Sequence, residues 1–400
     1  MKFLKIIRQI HLAGKLFFKG MVIRSKKIIN DLLKKIVLAG KKFPQSPLLS
    51  TLISIIIGLL ISFIIMIITG GFSNAFEGLS ILLTYGGRSS KIGDVFFRAG
   101  PIILLGLALG IGFKAGLFNI GAPGQFLIGG LVGLCVDNLF PAAGIPGLQL
   151  VVSVLAAIVA GAIWSVVPGI LKSFFNVSEV ITGIMLNYVA VYLSFGIVPK
   201  LPFYDANKSS VSTLFSNYGK FPLLSNTSMV DIGIIIAIVC AIVFYIIINK
   251  TKLGFKIKAV GQNKDAAQYA GINPKKMIII TMGIAGALVG LAASLFYLSH
   301  NPELIRPEST INTTAFDGIF VALIANSNPL GTIFTGFFIS YLRRGATTLQ
   351  IIGYSKHITD VIMGIIIYLV SIQSFIKNLF KKKFIPDKIH SLIKEDKTNA

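Results

Sequence analysis

The feature that most constrains this chain is a series of apolar runs, each long enough to cross a lipid bilayer as a helix. Leu48–Thr69, Leu148–Leu171 and Met277–Leu298 each extend over at least 22 residues without a charged side chain. A helix of this length measures about 33 Å, and the hydrocarbon core of a bilayer is about 30 Å thick. The runs lack the period-2 alternation of transmembrane β-strands. The sequence therefore predicts an all-α fold, a polytopic transmembrane helical bundle.

Counted along the chain, the apolar runs predict about ten spans. Two regions are interrupted and count as pairs of spans: Ala99–Val136, broken at Lys114 and Gly121–Gly124, and Thr313–Leu342, broken at Asn326–Pro329. A helix broken at membrane depth is tolerated only where it is buried in protein or lines a cavity. Gly70–Arg98 and Pro199–Met229 are predicted loops, and the other spans are Leu48–Thr69, Leu148–Leu171, Glu179–Val198, Ile232–Ile248, Met277–Leu298 and Ile358–Ile376.

Two short segments suggest that the spans form two inverted half-repeats. Val180–Leu186, VITGIML, is similar to Val361–Ile367, VIMGIII, and an interrupted pair of spans precedes each. In a bundle of ten spans the two segments run in opposite directions, as in transporters whose site lies beside broken helices. A chance match between two apolar heptads is the alternative.

The basic residues are concentrated outside the apolar runs. The formal net charge is +23, and most of the 38 Lys and Arg lie in Met1–Pro47, in Lys250–Lys276 and after Val370. Basic residues beside spans usually lie on the cytoplasmic side and meet anionic lipid headgroups, so both termini and the 250–276 loop are predicted to be cytoplasmic. No basic patch is interleaved with aromatic residues, and we therefore predict no nucleic-acid partner.

This distribution divides the chain into three parts. Met1–Pro47 is a basic arm, either an amphipathic helix on the membrane surface or a solvated segment. Leu48–Lys377 is the transmembrane domain, and Asn378–Ala400 is a basic cytoplasmic tail. One basic cluster falls near an outer connection, where it conflicts with this orientation, so either its members pair inside the bundle or the span count is wrong there. The cluster comprises Arg343, Arg344 and Lys356.

Polar side chains at membrane depth are costly, so each indicates contact with a solute or with another helix. Asn119, Gln125, Asn187 and Asp317 lie in or beside apolar runs. For the first two we favour a solute pathway, because polar groups and a helix break coincide there. For Asp317 the alternative is a cap on the helix that follows. Tyr188 fits either an interfacial anchor or a ligand contact.

A polar, basic stretch separates two apolar runs in the middle of the chain. Thr251–Pro274 is about as long as one span, yet its composition excludes it from lipid. Within it, Asp265–Ala270 is predicted to form a short helix with Asp265 as its N-cap and Gly271 at its C-terminal end. A short helix held between two spans suggests a segment on which a soluble partner exerts mechanical force.

No pattern in the sequence predicts catalysis, a metal site or a cofactor. The four histidines are far apart and lack metal-ligand spacing. The two cysteines lie singly in apolar runs and form no CxxC motif. No G-x-x-x-x-G-K-[ST] motif occurs, so we predict that the chain does not hydrolyse ATP by the P-loop mechanism.

Several motifs, in order along the chain, resemble the membrane permeases of nucleoside ABC importers, part of the wider group that carries ribose-type sugars and branched-chain amino acids. Phe118–Gln125, FNIGAPGQ, resembles their FNIGAEGQ stretch, and Asn176–Tyr188 is similar to the nucleoside branch. The resemblance extends from about Ala99 to Ile376. The other similar segments are Leu253–Phe255, Ala259–Asn263, Ala266–Ala267, Ala270–Ile272, Phe316–Ile319, Val321–Leu323 and Asn328–Gly331.

The resemblance implies a nucleoside permease without a cofactor in the bacterial inner membrane. Its partners would be a second homologous permease, ABC ATPase subunits and an extracytoplasmic solute-binding lipoprotein. Pro123 stands where nucleoside permeases often have Glu, and Ala325-Asn326 where Gly-Arg is usual, which bears on the solute. The residues implied for the solute pathway are Phe118, Asn119, Gln125, Asn187, Phe316 and Asp317. Those implied for coupling to the ATPase are Gly254, Gly261, Asn263, Asp265, Ala266, Ala267 and Gly271.

Three alternatives stay open at this point. The same architecture carries a monosaccharide or a branched-chain amino acid in related permeases. An ion-coupled secondary transporter also has inverted repeats and broken helices, but no acid lies deep in a span as a clear proton or sodium relay, and the 251–274 stretch would then have no role. A membrane enzyme or scaffold is disfavoured because no catalytic constellation is present.

Overall fold

A computed structural model describes residues 47–88, 91–139, 147–207, 209–211, 220–224, 229–299, 304–307, 311 and 313–371. The predicted basic arm up to residue 46 and the tail 378–400 lie outside these residues. Residues 58–371 form one compact unit, and of a second unit only 47–57, the beginning of the first helix, are described.

The described residues form helices joined by turns and loops, and they contain no strand beyond isolated bridges. Short 3-10 turns follow or precede helices at Tyr85–Gly87, Val198–Lys200, Thr313–Phe316 and Leu349–Ile352. The α-helices are α1 (Pro47–Thr84), α2 (Ile92–Lys114), α3 (Ala122–Leu139), α4 (Leu148–Phe175), α5 (Glu179–Ile197), α6 (Gly233–Lys250), α7 (Lys252–Gln262), α8 (Lys264–Tyr269), α9 (Pro274–Tyr297), α10 (Asp317–Ile324), α11 (Gly331–Thr348) and α12 (Lys356–Ser371).

Among the described residues, six helices are long and apolar enough to cross a membrane: α1, α2, α4, α5, α6 and α9. The chain is therefore a multi-pass, all-α membrane bundle. The other predicted spans correspond to α3, α10, α11 and α12, which are shorter or less apolar. Helix α10 has 8 residues and a length of about 12 Å, too short to cross the hydrocarbon core.

The most buried helix is α2, which packs against α6, α9, α10 and α11. Small residues allow these close contacts. A Cβ added to Gly106 of α2 would overlap the Val321 side chain of α10, and one added to Gly336 of α11 would overlap Ile103. Helices α4 and α9 approach in the same way, because a Cβ at Gly161 would lie 2.5 Å from the carbonyl oxygen of Gly286. Such small-residue contacts are the usual means of packing helices within lipid.

The predicted loop Gly70–Arg98 is wrong for most of its length. Helix α1 continues to Thr84 across a break at Gly71, whose φ of 79° and ψ of 169° interrupt the helix. The ring of Phe63 before the break packs against that of Phe76 after it, at 5.3 Å between centroids. Aromatic packing across a glycine break therefore turns a stretch with loop-like composition into helix.

Helix α2 begins at Ile92, seven residues before the predicted start, because its polar first turns are neutralised by ion pairs. Asp94 is buried, and its carboxylate lies 3.2 Å from Arg98 Nε and 2.6 Å from Arg344 Nε. Arg344 belongs to the basic cluster that conflicted with the predicted orientation. Its pairing inside the bundle removes the cost of placing a lone charge among apolar helices.

The second arginine of that cluster, Arg343, pairs with the buried Asp317 at the start of α10. Its Nε lies 2.9 Å from Asp317 Oδ2 and its Nη2 bonds Oδ1, a two-point contact of guanidinium and carboxylate. Asp360 of α12 lies 3.5 Å from Arg343 Nη1. Lys356 is exposed at the start of α12. Of the two explanations left open by the sequence, pairing inside the bundle is correct for both arginines.

Candidate solute path and coupling site

The predicted interruption at Lys114 is confirmed, whereas the predicted break within Gly121–Gly124 is wrong beyond Gly121, because residues 115–121 are non-helical and the next helix begins at Ala122. Helix α2 ends at Lys114, Gly116 adopts a φ of 70°, and α3 begins at Ala122. Pro123 falls in the first turn of α3, where a missing backbone N–H costs nothing. The proline therefore starts a helix here instead of breaking one.

Three carboxamides hold this break together. Asn119 Nδ2 donates to Gln125 Oε1 at 3.0 Å, and Gln125 Nε2 donates back to Asn119 Oδ1 at 2.9 Å. Asn187 of α5 accepts a bond from Gly124 N at 2.8 Å and donates to the carbonyl of Ile120 at 3.0 Å. All three side chains are almost completely buried. Their hydrogen bonds join the break, the start of α3 and the middle of α5 into one polar unit.

Phe118 is the part of the break that reaches the surface of the chain. Its ring is partly exposed and stacks on Phe113, with 5.5 Å between centroids. Its backbone N–H bonds the carboxylate of Glu179 at the start of α5, and Glu179 Oε2 lies 2.8 Å from Lys172 Nζ at the end of α4. The ion pair between Lys172 and Glu179 was not predicted, although opposite charges flanking a three-residue linker are a readable signal.

The remaining two residues predicted for the solute pathway lie elsewhere. Phe316 is half-buried in the 3-10 turn that packs against α3. Asp317 is held by Arg343, and its side chain forms no cap bond to α10, so the capping alternative is wrong. The structure thus brings together Phe118, Asn119, Gln125 and Asn187 and places Asp317 in an ion-pair cluster.

The basic stretch after α6 forms two short helices, each with a side-chain cap. The Thr251 hydroxyl accepts a bond from Gly254 N at the start of α7. Asn263 accepts bonds from the N–H groups of Asp265 and Ala266, each at 3.0 Å, and so caps α8. The prediction of Asp265 as the cap is therefore wrong by two residues. The predicted end of α8 is confirmed, because Gly271 follows it with a φ of 79°.

Helix α8 presents most of its surface outward. Only Ala267 is buried, and Ile272 anchors the turn behind it. The Tyr269 side chain is 94% exposed, and Phe255 of α7 is 65% exposed. Large aromatic side chains that project from a small, charged-flanked helix are typical of a protein-binding surface. The outward residues are Asn263, Lys264, Asp265, Ala266, Gln268, Tyr269 and Ala270.

Two glycines bind α7 tightly to the bundle. A Cβ at Gly254 would lie 2.3 Å from the carbonyl oxygen of Ile247, so only glycine fits beneath the end of α6. A Cβ at Gly261 would lie 2.1 Å from the carbonyl oxygen of Lys114 and 2.8 Å from the carbonyl carbon of Ala115. Gly261 therefore contacts the beginning of the helix break that carries Phe118 and Asn119. Direct backbone packing therefore joins the exposed helices α7 and α8 to the beginning of the helix break.

Comparison with known proteins now identifies the class of the chain. The family described as the branched-chain amino acid transport system permease component matches residues 91–371. The chain belongs to this family. It is a transport permease rather than an enzyme, and the match covers α2 through α12.

Two relatives of this permease are similar over most of their length. The nucleoside ABC transporter permease protein NupB of Lactococcus lactis is 33% identical over 340 residues, which cover 83% of this chain and 92% of NupB. The guanosine ABC transporter permease protein NupP of Bacillus subtilis is 33% identical over 349 residues, or 84% and 98% of the two chains. A glucose ABC transporter permease protein of Haloferax volcanii is 28% identical over 71% and 77%. No solved structure matches.

Proposed function

We propose that this chain is the permease subunit of an ABC importer that carries nucleosides. The observation that carries the proposal is the similarity to two permeases named for nucleosides and guanosine, each covered over more than nine tenths of its length. Similarity over this extent includes the helix break, α5 and the cytoplasmic helices together. The fold supports the proposal through its multi-pass bundle and its exposed cytoplasmic helices.

The assembly that this function requires contains several components. The chain pairs with a second homologous permease in the bacterial inner membrane, with both termini in the cytoplasm. An ABC ATPase binds from the cytoplasmic side, and an extracytoplasmic solute-binding lipoprotein delivers the solute. The proposed bundle has about ten spans in two inverted halves. Each half contains a broken pair of helices, α2–α3 in the first and α10–α11 in the second.

Coupling to ATP hydrolysis is assigned to α7 and α8. In this proposal the ATPase contacts the exposed face of α8 around Asp265, Ala266 and Tyr269. Movement of α8 is transmitted through its caps to α7 and, at Gly261, to the backbone at Lys114. Because this contact is made by backbone atoms without an intervening flexible side chain, displacement of α7 moves the helix break itself.

The solute path is assigned to the surface beside this break. Phe118 offers an exposed aromatic ring, while Asn119, Gln125 and Asn187 hold the backbone that presents it. Phe316, in the turn that packs on α3, is assigned to a separate part of the path. Asp317, fixed by Arg343, holds the short helix α10 in place. The carboxamides thus act on the path by shaping its wall.

The experiment is uptake of labelled guanosine, glucose and leucine by the complete complex reconstituted in proteoliposomes, with and without ATP. We expect ATP-dependent uptake of guanosine. Unlabelled nucleosides should inhibit this uptake, and glucose and leucine should not. Uptake of leucine or glucose in place of guanosine would contradict the nucleoside assignment. Uptake driven by an ion gradient without ATP would contradict the ABC mechanism itself.

A monosaccharide is the second candidate solute. The similarity to a glucose permease over 71% of this chain favours it, and both the broken helices and the cytoplasmic helices serve a sugar importer equally well. The same uptake experiment separates the two, because glucose lacks the flat aromatic base that a nucleoside presents. Two of the buried acids, Asp94 and Asp317, each pair with an arginine, which disfavours them as ion-coupling sites of a secondary transporter.

A further inference from the structure

The outward face of α5 differs from the outward faces of its neighbours. The exposed positions of α4 form an aliphatic stripe of Val151, Leu155, Val159, Ile163 and Val167. Those of α6 are also aliphatic, and include Ile235, Val239, Ile242 and Ile246. Both faces have the composition expected of surfaces in contact with lipid tails. The exposed face of α5 is mixed: beside aliphatic residues such as Ile181 and Val189 it carries a stripe at spacings of three and four residues that is not aliphatic, namely Met185, Tyr188, Tyr192 and Phe195.

Two tyrosines of this stripe lie deep within the span. Tyr188 is the tenth of the 19 residues of α5, about 14 Å along the helix, and Tyr192 lies about 6 Å further. Their side chains are 45% and 62% exposed, and neither hydroxyl has a hydrogen-bond partner in the described part of the chain. Tyrosines that anchor a helix at the membrane surface lie near its ends. An unbonded hydroxyl at this depth is costly in lipid. The two tyrosines therefore require a hydrogen-bonding partner outside the chain.

The opposite face of α5 fixes the direction of the stripe. Asn187, beside Tyr188, bonds both Gly124 N and the Ile120 carbonyl. Gly183 packs against the break at Gly121. A Cβ added to Gly183 would lie 2.8 Å from Gly121 N, so there is no room for a side chain. Rotation of α5 to bury the tyrosines would break these bonds and open this contact. The carboxamide unit therefore holds Tyr188 and Tyr192 outward.

The stripe also differs from a surface built for another helix. Where two helices of this chain pack closely, their faces carry small residues, as α4 does toward α9 with Ser153, Ala157, Gly161 and Ser165. Such residues let two backbones approach. Met185, Tyr188 and Tyr192 are large, and methionine adapts its shape to different contacts. The composition is that of a surface which meets a mobile, amphipathic molecule.

We propose that Met185, Tyr188 and Tyr192 line the solute path, where the two tyrosine rings stack on the flat base of the solute. The hydroxyls bond its polar groups or the water that accompanies it. Stacking suits transport because every base presents a π-face, so contacts form and release without a fixed hydrogen-bond pattern. This inference rests on the proposed function for the identity of the solute, and the exposed geometry of α5 carries it.

The test is the accessibility of cysteines placed along α5 in the complete complex. Cys135 and Cys240 are first replaced by alanine, and Tyr188→Cys, Tyr192→Cys or Val159→Cys is then introduced. A charged methanethiosulfonate reagent modifies thiols that water reaches and spares those in lipid. We expect both α5 cysteines to react at least about tenfold faster than the α4 control, and saturating guanosine to slow only the α5 reactions.

Two results would overturn the inference. Equal protection of the cysteines from Tyr192→Cys and Val159→Cys would place α5 against lipid. A spontaneous disulfide or tight protection at Tyr192→Cys, relieved only when the second permease dissociates, would place it in a subunit interface. Water access without protection by guanosine, in a complex that imports a different solute, would overturn the nucleoside assignment and leave the path in place.

The chemistry of the contact is tested by paired substitutions. Tyr192→Phe retains the ring and is expected to keep at least about half of the guanosine uptake rate, whereas Tyr192→Leu is expected to lose about tenfold. Basal ATP hydrolysis and the amount of assembled complex report that the variants are intact. Equal uptake by the phenylalanine and leucine variants would show that the ring does not contact the solute.

Discussion

The side chains around the helix break form a closed set of hydrogen bonds. Asn187 is the member that links α5 to the rest, because it bonds a backbone N–H and a backbone carbonyl on the other side of the contact. Removing one partner from a buried hydrogen bond costs more than the bond contributes, since the partner left behind is unsatisfied. The consequences of substitution at this position therefore extend beyond the loss of one contact.

Asn187→Ala is expected to lower the stability of the permease by about 2–4 kcal/mol, because Gly124 N and the Ile120 carbonyl both lose their partner. Thermal unfolding in detergent measures the effect. Ser194→Ala on the same helix is the matched control, since the buried Ser194 hydroxyl has no hydrogen-bond partner within the described residues and its removal costs little. Equal midpoints for the two variants would contradict the assigned role of the carboxamide.

Asp231 introduces a pH dependence at the start of α6. The carboxylate is buried and accepts a bond from Gly233 N at 2.9 Å, and burial raises the pKa of Asp231 to about 6. The folded state thus binds the proton more tightly than the unfolded state, so this group's contribution to stability is greatest below about pH 4 and falls as the pH rises to about 6.

Asp231→Asn is expected to remove this slope and to raise the free energy of unfolding at pH 7 by up to about 3 kcal/mol, because asparagine keeps an acceptor for Gly233 without a buried charge. Unfolding midpoints between pH 4 and 8 measure the change. Glu77→Gln, which replaces an exposed acid in the same way, is the matched control. A variant that is less stable than the parent at pH 7 would show that the ionised carboxylate is itself needed.

The position of helix α10 depends on charge as well as on packing. It has 8 residues, and its first residue, Asp317, is held by Arg343 of α11. Val321 packs on Gly106 of α2, and the ion pair ties the beginning of the helix to α11. Removing one member of a buried ion pair destabilises a protein more than removing both, because the remaining charge is left buried without a partner.

Asp317→Leu is expected to destabilise the permease by about 3–5 kcal/mol, since Arg343 loses its two-point contact and keeps only the more exposed Asp360, at 3.5 Å. The double substitution Asp317→Leu with Arg343→Met is expected to recover most of this loss. Unfolding of the two single variants and the double variant forms a thermodynamic cycle. Additive losses in that cycle would mean that the two side chains do not stabilise each other.

The packing of helix α7 depends instead on the absence of side chains at two glycines, Gly254 and Gly261. Gly261→Ala introduces a Cβ where the carbonyl oxygen of Lys114 already lies, at 2.1 Å, so α7 must move away from the helix break. ATP-driven uptake is expected to fall about tenfold or more, while ATP hydrolysis by the complex persists. Gly196→Ala on α5, where no heavy atom lies within 4 Å, is the control. Full uptake by the Gly261 variant would exclude this contact as the transmitting one.

Across the whole bundle, the sequence predicts what depends on local pattern and misses what depends on distant partners. The apolar runs identify the helices, and Gly271 ends α8 as predicted because a left-handed residue favours glycine. Asn263 replaces Asp265 as the cap, since both residue types cap helices and only the backbone geometry decides between them. The partners of Arg343 and Arg344 are acids on other helices, and no local pattern identifies them.

The same limit applies to the candidate site. The break and its polar residues can be predicted from the sequence, because glycine, proline and carboxamide residues coincide at Phe118–Gln125. The bonds of Asn187 to that break join residues more than 60 positions apart, so they become visible only in the fold. The contact of Gly261 with Lys114 is likewise a tertiary one. The contact on which the proposed coupling depends is therefore formed only in the folded bundle and is not visible in either motif.

In the proposed mechanism, ATP hydrolysis by a separate subunit drives solute movement, and α8 transmits the force. The most direct test is guanosine uptake by reconstituted complexes that carry either the parent chain or Asp265→Lys with Tyr269→Ala, two substitutions at outward positions of α8. We expect the parent to accumulate guanosine only with ATP, and the variant to fold with an unchanged unfolding midpoint but to lose ATP-driven uptake. Uptake and ATP hydrolysis that stay coupled in the variant, at the rate of the parent, would show that α8 does not transmit the force.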